Sequence, residues 1–199
     1  MLLLAACGRK PEHQQVRIAN VGNGLQTWCM PITLADSLGF YKDEGLDVRM
    51  ETLPSGSKAL EALLGGSADV TGIMYFHTIE LAAQGRQVRS IFVISQRMDT
   101  VMVISSHAAG YVRRAEDLKG KLIGVSSPGS NTHQWAKFYL GRHGLKPEDF
   151  RAVGIGLTVS AVAAIEAGRV DAASLGGGEH FVLMQRQPGT RILVDSSTP

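Results

Sequence analysis

The 199-residue chain is long for one compact domain and short for two, so two small units are the first expectation. With 44% hydrophobic and 19% charged residues and a formal net charge of +2, it has an ordinary globular composition without the basic surplus that nucleic-acid partners require. No uninterrupted apolar run reaches the ~18 residues of a membrane span, and the basic cluster at Arg113 and Arg114 is balanced by Glu116 and Asp117.

The chain opens "MLLLAACGRK", an apolar run ending in small residues at Cys7. This resembles the lipobox of bacterial lipoproteins, so residues 1–7 read as a partial signal peptide that lacks the usual charged front. Lipidation of Cys7 would hold the protein at the periplasmic or cell-surface side of a membrane. Cys29 is then the remaining thiol and is expected to be buried; a Cys7–Cys29 disulfide is the alternative if the lipobox reading fails.

Residues 16–22 form an apolar run of strand length, and Pro31 suits the first turn of a helix that ends at Gly39. "DVRMETL" is a second strand, Ser57 a cap for a helix closed at Gly65, and "ADVTGI" a third strand. "RSIFVISQRMDTVMVISS" reads as two strand-like segments broken at residues 96–100, the passage between units. The order then recurs. "KLIGVSS" is a strand, "NTHQWAKFYL" a helix ending at Gly141, "FRAVGIG" a strand, Ser160 a cap for a helix that Gly168 ends, and "VDAASL" the last strand.

The recurrence is in register. "LLGGSADVTGI" and "IEAGRVDAASL" pair Asp69 with Asp171, Gly66 with Gly168, Leu63 with Ile165 and Leu60 with Val162 at one constant separation, and Gly45-Leu46 answers Gly144-Leu145 upstream. A β-α-β-α-β unit is therefore written twice, as lobe one over residues 16–98 and lobe two over residues 99–199. Each is an α/β unit around a parallel sheet covered on both faces.

Open α/β sheets bind ligands beyond the carboxyl ends of their strands, so two such lobes face one cleft. Its expected lining is Asn23, Gln26, Thr27 and Trp28, then Ser57, Tyr75, Arg97, the run Ser130, Asn131 and Thr132, and finally Thr158, Gly177 and Glu179. These loops are rich in hydroxyl, amide and glycine and poor in charge. Helix N-termini beside them offer unpaired N–H groups to an anion. Gly176, Gly177 and Gly178 suit a backbone nest for a ligand oxygen or relief of crowding at a strand end. The planar fork of Arg97 fits a carboxylate, sulfonate or phosphate, and Glu179 would meet an amine or cap its own helix. Trp28 and Trp135 both follow the first strand of a lobe, where a ligand wall and a half-buried aromatic look alike.

Motifs for catalysis fail on inspection. "GNGLQT" has Thr27 where a dinucleotide fingerprint needs a third glycine, "GVSSPG" lacks nucleophile-elbow spacing, and Gly120-Lys121 is followed by Leu122 in place of Ser or Thr. His77 and His180 occupy nearly equivalent loops, which fits a shared ligand or metal or coincidence. No catalytic residue, metal or cofactor is expected.

"LADSLGFYKDEGLDVRM", "KALEALLGGSADVTG", "AEDLKGKLIGVSSPGS" and "AAIEAGRVDAA" resemble the nitrate, sulfonate and taurine class of ABC-transporter substrate-binding proteins, with relatives that handle thiamine-pyrimidine precursors; the resemblance covers residues 16–194. It implies a type II periplasmic-binding fold, a monomer that closes on a small anionic or polar solute and delivers it to a membrane permease. Ile32 and Thr33 follow Pro31 where many members have an aromatic, so the solute's identity is not inherited. Members also continue past the point where this sequence ends at "VDSSTP", returning to complete lobe one. The competing reading is an enzyme on the same fold, such as a pyrimidine-precursor synthase with a histidine and cysteine cluster at the cleft. A sensing domain of a regulator would need an attached helix-turn-helix or signalling module.

Overall fold

In the computed structural model, residues 15–21, 28–97 and 99–198 are described. The first unit runs β1 (Gln15–Val21), α1 (Met30–Ser37), α2 (Phe40–Asp43), β2 (Asp47–Leu53), α3 (Gly56–Leu64), β3 (Val70–Thr71) and α4 (Phe76–Ala83). Its three strands are parallel in the order β2-β1-β3. The second unit runs β4 (Val101–Ile104), β5 (Leu122–Val125), α5 (Asn131–Arg142), β6 (Arg151–Gly154), α6 (Val159–Glu166), β7 (Ala172–Leu175), α7 (Glu179–Arg186) and β8 (Arg191–Asp195). Its sheet is ordered β6-β5-β7-β4-β8, with β5, β6 and β7 parallel and β4 antiparallel to both neighbours. The repeat thus appears as β2-β1-β3 in one sheet and β6-β5-β7 in the other, while β4 and β8 widen the second into a mixed sheet.

The repeated aspartate explains itself in atoms. Asp69 donates its N–H to the Arg17 carbonyl at 2.8 Å, and its carboxylate accepts from the Arg17 N–H at 2.9 Å. Asp171 donates to the Leu122 carbonyl at 2.9 Å and accepts from the Leu122 N–H at 2.8 Å. Each therefore clips the third strand of its unit to the start of the central one. The paired glycines set this up. Gly66 and Gly168 are left-handed, with φ of 74° and 67°, and close their helices with Ser67 N–H to the Ala62 carbonyl and Arg169 N–H to the Ala164 carbonyl.

The cores are unequal. Alternate residues of β4 bury on opposite faces, Met102 and Ile104 with Ile123, Leu118 and Leu140, Val101 and Val103 with Ile165, Leu175 and Leu183. The first unit has a smaller cluster of Ala19, Val21, Ala59 and Ala68, joined by Trp28, Leu53, Ala62, Ile73 and Leu157.

Three expectations are corrected, and the alternative left open for Trp135 is decided. The cap of α3 is Ser55, whose extended backbone lets its hydroxyl accept from the Lys58 N–H; Ser57 lies inside the first turn. Thr158 holds the cap position of α6, and Ser160 again lies one turn in. The segment "SIFVIS" forms no strand and pairs with none among the described residues; Ile91, Phe92 and Val93 are 70%, 61% and 67% exposed. Trp135 is a core residue, stacked on Tyr139 with ring centroids 5.5 Å apart.

Removing the clip should be costly. Asp171→Ala leaves the Leu122 N–H without its acceptor and is expected to lower stability by about 1–3 kcal/mol in thermal unfolding, with Asp171→Asn costing less because one acceptor oxygen remains. Side-chain and main-chain hydrogen bonds from Arg17 hold the Asp69 carboxyl down to about 2. An unfolded aspartate titrates near ~3.9, so the stabilisation is complete above that value and is lost as pH falls through the folded one. Acid unfolding of Asp69→Asn should lack this component.

Candidate functional site

The two units enclose a cavity of about 820 Å³. From the first unit it is walled by Trp28, Ile32, Ile73, Met74, Tyr75 and His77, and by Gly56 at the start of α3; from the second by Ser126, Asn131, Thr132, Leu157 and Gly176. The passage between units, residues 87–97 with Asp99, supplies the remaining wall and carries Arg97. The reason these residues converge is the topology: each lies where a strand ends and the next helix begins, and the two sheets turn those edges toward one another.

Direct contacts cross the seam. The Trp28 indole N–H donates to the Gly176 carbonyl at 3.2 Å. Ser57 and Ser127 hydroxyls are 2.6 Å apart, Ser127 donates to Ser55 at 2.8 Å, and Ser55 lies 3.1 Å from Ser57, a triangle of hydroxyls spanning both units. Gln134 donates to Glu80 at 3.0 Å.

On the polar side, α5 begins at a ready-made cap. The Ser130 hydroxyl accepts from the His133 N–H, and Thr132 accepts from the Ser126 N–H at 2.8 Å. Ser130 and Thr132 are buried, while Asn131 is half-exposed and donates to the Thr100 hydroxyl at 3.4 Å. The apolar part of the lining comes from Trp28, Ile73, Met74 and Leu157, and Tyr75 is exposed.

Of the residues expected from sequence, Trp28, Tyr75, Arg97, Asn131 and Thr132 line the cavity, and Ser57 sits in the seam. Arg97 is exposed at the passage, its backbone N–H donating to the Ser95 hydroxyl. Gly178 holds the cap position of α7, and Glu179 Oε1 accepts from the Thr158 N–H at 3.0 Å. The Gly177 carbonyl pairs with His180 Nδ1 at 3.1 Å. Asn23, Gln26, Thr27 and Cys7 lie outside the described residues. Cys29 is buried, its thiol donating to the Val21 carbonyl at 3.4 Å.

Sequence reasoning did not single out Ile73, Ser126 or Leu157, although the loops holding Ser126 and Leu157 were signalled by the turn residues around them. It paired His77 with His180 as a shared ligand or metal site or a coincidence; the structure places His77 on the cavity wall. His77 is 2% exposed, and its Nε2 lacks a partner among the described residues. The nitrogen faces Gly56, where an added Cβ would meet it at 3.5 Å. Burial pushes the imidazole below its ordinary value, against the opposing pull of Glu80, whose Oε2 lies 3.7 Å from Nδ1.

The sequence matches the NMT1/THI5 like family over residues 26–196. The 4-amino-5-hydroxymethyl-2-methylpyrimidine phosphate synthase THI13 of Saccharomyces cerevisiae is 31% identical over 145 residues, 72% of this chain and 41% of that protein. A solved structure from Bordetella bronchiseptica RB50 superposes with a TM-score of 0.82 at 35% identity, covering 92% of this chain and 57% of the other. The alkanesulfonate-binding protein SsuA of Xanthomonas axonopodis pv. citri, solved bound to MOPS, superposes with a TM-score of 0.67 at 21% identity, covering 92% and 61%. These and further likenesses establish the periplasmic-binding-protein fold. The chain spans less than half the length of the curated relatives it matches.

The buried His77 gives a direct check. Its ring should titrate in NMR below the ordinary histidine value of ~6.5. The charged form is disfavoured in the fold, so the associated stability is present above the ordinary value and is lost as pH falls through the depressed one.

Proposed function

Since this chain belongs to the NMT1/THI5-like family, we propose that it captures a small anionic or polar organic solute, such as a sulfonate, nitrate or taurine, for delivery to the permease of an ABC importer. The observation that carries this reading is the cavity itself. Both units wall it, and its lining combines apolar Trp28, Ile73 and Leu157 with polar Ser126, Asn131 and Thr132 at or near the N-terminus of α5. A solute with an acidic or polar head and an apolar body suits that combination: the head lies at the helix end, where main-chain dipoles favour negative charge, and the body lies against the indole. SsuA, which shares the fold, is named for alkanesulfonate binding. In this reading Cys7 carries lipid and tethers the protein outside the cytoplasmic membrane, and the protein works as a monomer without a cofactor.

The names of the yeast relatives favour a second reading, pyrimidine phosphate synthesis on the same fold. His77 on the cavity wall suits it, whereas Cys29 turns its thiol to the Val21 carbonyl. Mass spectrometry of the native product separates the two: lipid on Cys7 supports import, and an unlipidated cytoplasmic product overturns it.

The solute reading is tested by fluorescence. In a Trp135→Phe background Trp28 is the remaining indole, and titration with nitrate, taurine, alkanesulfonates, aromatic carboxylates and thiamine precursors should give a saturable change with one class. Asn131→Ala should weaken that binding by about tenfold, the loss of one hydrogen bond to a charged or strongly polar group. Absence of a saturable response across the panel counts against this solute class.

A further inference from the structure

We propose that Leu157 is a solute-contacting residue that also latches the two units together, and that Glu179 is the positioning residue that holds it in place. The proposal deepens the solute-capture reading and rests on it for the ligand contact.

Leu157 has two surroundings at once. It lines the cavity, and it packs against the apolar cluster of the other unit, Ala19, Val21, Ala59 and Ala68 with Trp28 and Ile73. Among the described residues it is the member of that cluster that comes from the second unit.

The turn that presents it is fixed from its own side. Gly156 N–H donates to the Ser126 carbonyl at 3.1 Å, the Ser160 hydroxyl donates to the Leu157 carbonyl at 2.9 Å, and the Thr158 N–H donates to Glu179 Oε1 at 3.0 Å. Glu179 is 5% exposed. Thr158 adopts φ 54° and ψ −121°, and among the described residues it alone combines a side chain with positive φ. A β-branched residue pays strain in that conformation and holds it only where its surroundings over-determine the backbone. Here they do so on behalf of the preceding side chain. The main chain of residues 156–158 is anchored in one unit and the half-buried side chain of Leu157 packs against the other.

The consequence is a shared contact. Parting the units exposes Leu157 and the face of Trp28 to water together, and the indole N–H loses the Gly176 carbonyl. A solute body filling the cavity adds apolar surface to the same two side chains, so it strengthens closure through the residue that already provides it.

The test uses the full chain with Trp135→Phe, first without any solute, reading Trp28 emission and acrylamide quenching, with thermal unfolding to confirm folding. Leu157→Ala is expected to shift emission to longer wavelength and raise the quenching constant roughly twofold as the open population grows. Glu179→Ala should do the same, whereas Glu179→Gln, which retains an acceptor oxygen for the Thr158 N–H, should stay near the parent. Whichever panel solute saturates the parent should bind Leu157→Ala about tenfold more weakly. A folded Leu157→Ala with unchanged Trp28 quenching overturns the latch, and a Glu179→Gln that behaves like Glu179→Ala overturns the positioning role. The Leu157 arm stands independently if Glu179→Ala does not fold. Because quenching is read without solute, a silent panel would count against solute capture while an altered quenching constant would still support the latch.

Discussion

Both units of this protein depend on a carboxylate that reads the main chain of a neighbouring strand. A parallel strand at the start of a sheet has N–H and C=O groups that its neighbour must satisfy, and helical crossovers bring that neighbour in from a distance. Asp69 and Asp171 solve this in the same way, one N–H given and one N–H accepted across to the central strand. The geometry then dictates the sequence around them. The chain must leave its helix through a left-handed residue, turn within two positions and present a short acceptor, which is what the Gly-x-x-Asp spacing of both copies provides. In the second unit the same carboxylate also accepts from the Tyr111 hydroxyl at 2.6 Å, tying the loop after β4 to the sheet.

From this shared clip the units diverge in how they are covered. The second has five strands and apolar clusters on both faces, and fully buried Met102, Ile104, Ile123 and Leu140 make it a core in its own right. The first has three strands, one of two residues, and a cluster built largely of alanine and valine, with Leu34, Leu38 and Phe40 exposed on its helices. Burial scales with apolar area, so the first unit gains much of its packing from elsewhere, and Leu157 supplies part of it. The seam is therefore part of the first unit's structure as well as the boundary of the cavity.

The repeat was legible because it is written in residues that the backbone requires. Asp69, Asp171, Gly66 and Gly168 have few substitutes at their positions, and the repeated succession of strands and helices along the chain followed from them, whereas the order of strands within each sheet did not. The exact capping residues were not legible: a serine two positions into a helix and a serine at its cap look alike, and Ser55 prevails because its extended backbone aims the hydroxyl at Lys58. The strand expected within residues 89–95 has the right apolar pattern but needs a neighbour, and strand formation is decided by pairing, which no local pattern records. Trp135 and Trp28 were indistinguishable because both follow a first strand. The helix phase of α5 turns Trp135 into the core, while Trp28 precedes α1 and reaches across the seam. Leu157 was hidden for a related reason, since its role belongs to a contact between units separated in sequence by the whole of the passage.

Under the proposed solute capture the cleft must both close and open, and the chemistry of the seam suits that. A buried ion pair there would be costly to separate from its partner and costly to bury, since desolvation of two charges opposes their attraction. Among the described residues the seam contacts include a triangle of serine hydroxyls, an indole N–H on a carbonyl and the aliphatic side chain of Leu157, and the carboxylate of the Gln134–Glu80 contact is exposed. Neutral hydrogen bonds of this kind contribute about 0.5–1.5 kcal/mol each, and water replaces them when they break. The three hydroxyl contacts and the indole contact together contribute about 2–6 kcal/mol, so the contact between the units is favoured without being locked. In the proposed reading, solute in the cavity adds to that balance through Leu157, which lines the cavity and packs against the first unit.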